Sequence, residues 1–72
     1  MLNTNYAPEI ATANEWIIKH NTDAKLMAFL REVSNPIYTH GERWSMIFDW
    51  LLKHYPGATG TLVTGLTYYL EG

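Results

Sequence analysis

Residues 55–70, YPGATGTLVTGLTYYL, hold no charged side chain. In a chain of 72 residues, so long an uncharged end has to be covered by the rest of the fold, by a sheet partner or by another molecule. Read as a helix from about Thr59, the segment gathers Leu62, Val63, Leu66, Tyr69 and Leu70 on one side. Thr61, Thr64, Tyr68 and Glu71 then fall on the other. Gly60 and Gly65 oppose that reading at about 1 kcal/mol each in a helix interior, and the Thr, Val and Tyr content suits strands. A strand pair from this segment alone would be marginal, and no other stretch reads as a strand. The pattern predicts a closing helix, with strand as the alternative.

The rest of the chain has to supply the cover. Apolar residues make up 47% and charged residues 17% of the sequence, a balance that collapses into a core instead of staying disordered. At this length a domain buries only about 60% of the surface its unfolded chain exposes, which implies one domain of modest stability. There is no cysteine, so disulfides and thiolate metal sites are excluded, and the cytoplasm is the expected location. Three Trp, five Tyr and two Phe are more ring surface than so small a body hides, which makes a homodimer a candidate state. The net charge of −2, with no run of like charges, leaves no general nucleic-acid footprint. No basic leader with an apolar stretch behind it occurs, nor any apolar window of about 18 residues, so neither a signal peptide nor a membrane span is expected. Met1 and the short length suggest a complete small gene product.

Three further helices are legible upstream. After a polar arm over the first six residues, Pro8 and Glu9 open a helix that runs to about His20, with Ile10, Ala13 and Ile17 inward, Trp16 and His20 beside them, and Thr12, Glu15 and Lys19 outward. Asn21 is expected to end it in left-handed geometry, and Thr22 to cap the next helix. There Leu26, Met27, Leu30 and Val33 form the inner stripe until Ser34-Asn35-Pro36 stops the helix. The short link predicts that these two helices pack as a hairpin. Ile37 and Tyr38 of the following loop are expected to tuck onto the core. Thr39 and Glu42 are spaced as a capping box, and the helix behind them carries a wide apolar face of Trp44, Ile47, Phe48, Leu51 and Tyr55, flanked by Met46, Trp50 and Leu52. So wide a face predicts a central helix. Pro56-Gly57 ends it, giving an all-α, compact four-helix domain.

Little in the sequence points to catalysis. His20, His40 and His54 are the candidate bases or ligands, but none lies three or four residues from another, so a metal site would need the fold to assemble it. Ser34 and Ser45 lack a nucleophile elbow, and no phosphate-binding glycine loop, zinc-protease helix or calcium loop occurs. Glu9 with Glu15 and Glu42 with Asp49 sit on helix faces where solvation and ion pairing explain them. The expectation is a protein without enzymatic activity, cofactor or metal. Trp and Tyr dominate binding hot spots. Trp50 and Tyr68, at the margins of their apolar faces, are the expected anchors, joined by Thr61, Thr64 and Arg43.

Residues 47–72, IFDWLLKHYPGATGTLVTGLTYYLEG, resemble part of a helix-turn-helix domain: a helix with spaced leucines, a glycine-containing turn, then a second helix. The resemblance implies that Thr59, Gly60, Thr61, Thr64 and Tyr68 approach DNA; in a second register HYPGAT is similar to the link before the scaffold helix of winged-helix domains. The second helix brings threonine, glycine and tyrosine to that face and no cation, which suits a protein partner better than a phosphate backbone. The sequence thus points to a small regulatory or inhibitory module, an adaptor or modulator of a larger machine of the kind phages and plasmids encode, acting by protein–protein binding. The alternative is a dimeric helix-turn-helix DNA-binding regulator.

Overall fold

The computed structural model describes residues 4–72. Among them a 3₁₀ turn, Thr4–Tyr6, leads into α1 (Ala7–Lys19), followed by α2 (Ala24–Val33), α3 (His40–His54) and α4 (Gly60–Glu71), with no strand. The body is compact, with a Cα radius of gyration of 11.2 Å. Of the polar arm expected at the N-terminus, residues 1–3 lie outside the described residues, and the rest forms the 3₁₀ turn.

The uncharged end is the helix α4, and its cover comes from two sides. α1 packs along one flank and α3 along another. The two glycines divide accordingly. A β-carbon on Gly60 would meet nothing within 4 Å, whereas one on Gly65 would lie 2.2 Å from the Glu9 carbonyl oxygen and 3.2 Å from the Ala13 β-carbon. Gly65 therefore lets α1 and α4 approach backbone to backbone, and the propensity lost in the helix is offset by that packing. Leu62, Val63, Leu66 and Thr67 are buried beside it. Thr67 is accommodated because its hydroxyl donates to the Val63 carbonyl at 2.8 Å. Tyr69, expected inside, stands partly exposed.

This arrangement corrects two expectations of order. α1 and α2 do not form a close hairpin, since the small-residue crossing draws α1 onto α4 while α2 packs on α3. The most enclosed helix is α4, not α3, whose outer side leaves Leu52 59% exposed. Of the inner faces that the spacing predicts, Leu26, Leu30 and Val33 of α2 and Ile47 and Leu51 of α3 lie in the core, whereas Phe48, expected on the inner face of α3, is exposed.

The caps are local chemistry. Thr39 and Glu42 form the reciprocal box at the start of α3. At α2 the cap is Asp23, accepting from the Leu26 N–H at 3.0 Å, and not Thr22; the carboxylate, one residue closer to the helix, takes the bond. Among the described residues none has a positive φ, so α1 ends at His20 without the left-handed Asn21. Ile37 is 76% exposed. The loop that carries it is held by its own bonds instead, with Asn35 Oδ1 accepting from the Ile37 N–H and the Asn35 carbonyl from the Tyr38 N–H.

Candidate functional site

Arg43 is the charged residue that the fold uses most heavily. It is 5% exposed, and its guanidinium donates to the Val33 carbonyl at 2.8 Å, the Asn35 carbonyl at 2.8 Å, the Tyr38 carbonyl at 3.1 Å and the Glu71 carboxylate at 2.6 Å. One side chain of α3 thus closes the end of α2, the loop after it and the last turn of α4. Burying a cation is tolerable because these acceptors and a counter-charge surround it. Its donors are directed inward, so Arg43, expected at a contact surface, is a buried tie between α2, α3 and α4.

The same end holds Tyr68. Its ring stacks on Tyr6 with centroids 4.2 Å apart, and His40 lies on it at 4.7 Å. His40 Nδ1 in turn lies 2.9 Å from Glu71 Oε1. A hydrogen bond with Tyr6, burial and the nearby Glu71 charge raise the Tyr68 phenol above its ordinary value.

From this end α3 and α4 run antiparallel. His40 meets Tyr68 and Glu71 at the far end, and the Trp44 indole N–H donates to Thr64 Oγ1 at 3.1 Å midway. Contact at mid-length and at the ends farthest from the link identifies an αα-hairpin. A helix-turn-helix pair crosses at about 90–120°, so its far ends diverge. Of the positions assigned to DNA by that resemblance, Thr59, Gly60 and Thr61 are exposed, while Thr64 and Tyr68 are half-buried under Trp44 and between Tyr6 and His40.

The outer face of the hairpin carries the exposed apolar surface. Trp44 and Phe48, one turn apart, stack at 5.3 Å with an interplanar angle of 8°, and Leu52 continues the line a turn later. Phe48 and Leu52 are both exposed. Beside this ridge, across the Trp44–Thr64 bond, Thr61 and Thr64 give a low, uncharged flank. Thr61, Thr64 and Tyr68 therefore share one face, as the helical spacing predicts, and Trp44, Phe48 and Leu52 join them.

Trp50 is elsewhere. Its ring is held between Phe29 at 4.8 Å and His54 at 4.1 Å, on the side of α3 that meets α2. It belongs to an aromatic array that continues through Tyr55, 6.1 Å away, to Trp16 and His20. The Tyr55 hydroxyl donates to Asp23 Oδ2, a bond that lowers the carboxyl pKa, with help from the Leu26 N–H, and raises that of the phenol. A cleft of about 530 Å³ opens over Trp16, Tyr55, Ala58 and Leu62. Among the described residues no three His, Asp or Glu side chains converge to hold a metal ion, and no helix is long and apolar enough to cross a membrane.

Phe48 and Leu52 are not among the contact residues expected from the sequence, because the spacing places Phe48 on the inner face of α3 and Leu52 at its flank. The sign available in the sequence is arithmetic: eight apolar or aromatic positions from Trp44 to Tyr55 cannot all point inward from one helix whose apolar arc covers about a third of its circumference. The chain matches no protein-family model, no curated protein and no solved structure.

Proposed function

We propose that this chain is a small binding module that engages a protein partner through the outer face of the α3–α4 hairpin and modulates that partner by covering part of its surface. The observation that carries the reading is the alignment of exposed Phe48 and Leu52 with Trp44 beside the uncharged Thr61 and Thr64. Aromatic and aliphatic groups in a charge-poor centre are the composition of a protein–protein contact, where desolvating charges is costly. A phosphate backbone asks for the opposite, a cluster of cations, and the exposed face of α4 offers none. The hairpin ties in Trp44 and Tyr68 by stacking and hydrogen bonds, so the surface is held in shape before any partner arrives, which lowers the cost of binding.

The test is a Leu52→Glu substitution. The side chain is largely exposed, so the thermal midpoint should stay within a few degrees of the parent while the protein loses its native complex and its biological effect. Retention of the complex by a folded Leu52→Glu protein contradicts the reading. Retention on duplex DNA that falls steeply with salt and survives Leu52→Glu would favour the DNA-binding alternative instead.

A further inference from the structure

The charges around the ridge narrow the partner's chemistry. On the solvent side of Phe48 and Leu52, opposite the threonine flank, α3 places Glu42 and Asp49, both exposed. Neither has an ion-pair partner among the described residues, where the ion pairs formed are those of Glu71 with His40 and Arg43. Lys53 follows Asp49 at helical i,i+4 spacing and yet is not in ion-pair contact with it. Glu42 accepts the Thr39 N–H at 2.8 Å and stays exposed on α3, with no cation paired to it among the described residues. The other flank of the ridge, Thr61 and Thr64, is neutral. One side of the ridge therefore carries two carboxylates and one ammonium, a net charge of −1, and the other is neutral.

Building on the protein-binding reading, we infer that the occupant of this face is an amphipathic helix of the partner whose apolar stripe is bordered on one side by basic residues. Charge complementarity selects it: an apolar segment alone would leave Glu42 and Asp49 beside a low-dielectric contact with Lys53 as the one cation on that edge. Seven residues separate the two acids, about 10.5 Å along the axis of α3. The matching helix thus carries Lys or Arg at positions i and i+7 beside its stripe. It lies along α3 over Phe48 and Leu52, one shoulder on Thr61 and Thr64 and the other against the acids, as a third helix added to a hairpin.

Two synthetic helical peptides test this, with the same leucine stripe and with Lys or Glu at the flanking i and i+7 positions, each titrated into the isotope-labelled protein and followed by NMR. The Lys peptide should bind roughly fivefold tighter than the Glu peptide at low salt, the gain of two exposed ion pairs, and the difference should fade at high salt. It should shift the Phe48, Leu52 and Thr61 resonances, and Asp49→Lys should shrink the preference. Equal binding of both peptides to the ridge overturns the basic-flank assignment and leaves the protein-binding reading standing. Shifts confined to the Trp16–Tyr55 cleft, or none with either peptide, overturn helix docking on this face; loss of the native complex on Leu52→Glu remains the separate measure of the broader reading.

Discussion

The Arg43 guanidinium, buried in the body of the protein, donates to the carboxylate of Glu71, one residue from the end of the chain, at 2.6 Å. The last turn of α4 is thereby fixed to α3, to the end of α2 and to the loop between them through a single side chain. Terminal turns fray unless something holds them, and here the holding group also needs the terminus, because among the described residues no other carboxylate faces Arg43.

Replacing Glu71 by alanine should therefore cost more than a surface ion pair does. With Arg43 left buried beside neutral acceptors, and Glu71 itself about a quarter exposed, a loss of about 2 kcal/mol is expected, between the surface and the fully buried cases. Urea unfolding of the two proteins measures it, and amides of the last turn of α4 should exchange faster in the variant. A loss under about 0.5 kcal/mol would show that water replaces the carboxylate without cost.

The glycines of α4 should respond in opposite ways. Gly65→Ala puts a methyl group against the Glu9 backbone carbonyl, which no side-chain rotation can move aside, so α1 must move away from α4; a destabilisation of about 2 kcal/mol or more is expected despite the better helix former. Gly60→Ala meets open space and should leave stability unchanged or slightly raised. Thermal midpoints of the two variants make the comparison.

Much of this fold could be read from the chain because its helices are defined locally. Thr39 with Glu42, Pro36 and Pro56-Gly57 each act within a turn of their own position, and the inner stripes of α2 and α3 follow from spacing alone. Which helices meet is a longer-range matter. The pairing of α1 with α4 depends on Ala13 finding Gly65 across 52 positions of sequence, and a glycine in a helix looks like a defect until its neighbour is known. The candidate surface was legible in half. Thr61, Thr64 and Tyr68 share a face by helical periodicity, but Arg43 turned inward because three backbone carbonyls and Glu71 converge on it, and Trp50 because Phe29 and His54 enclose it. No local pattern encodes either environment.

Thr64→Val removes the acceptor of the Trp44 indole N–H without changing the shape of the side chain. Leaving that half-buried donor unpaired should cost about 1 kcal/mol, and freeing the Trp44 ring should weaken peptide or partner binding at the ridge as well. Denaturant midpoints and binding isotherms separate the two effects. Unchanged binding with lowered stability would confine the hydrogen bond to a structural role.

Acid should destabilise the protein through its caps. The Tyr55 hydroxyl and the Leu26 N–H hold the Asp23 carboxyl below its ordinary value, and the Thr39 N–H and hydroxyl do the same for Glu42. A carboxyl depressed in the folded state contributes stability that is present above its unfolded pKa, about 4, and is lost as the pH falls through the folded value. Unfolding midpoints should thus be level near neutrality and decline below about pH 4. In Asp23→Asn the decline should be shallower, from a lower starting stability. An identical decline in the variant would remove Asp23 from the account.

The most direct measurement places a photo-cross-linking amino acid at position 61, beside the ridge, and at position 25, on the exposed side of α2, in the cells that make the protein. The account predicts a discrete adduct with one protein from position 61, absent from position 25 and abolished by Leu52→Glu. Equal adducts from both positions, or an adduct at 61 that persists in Leu52→Glu, would contradict the claim that the outer face of the α3–α4 hairpin binds the partner.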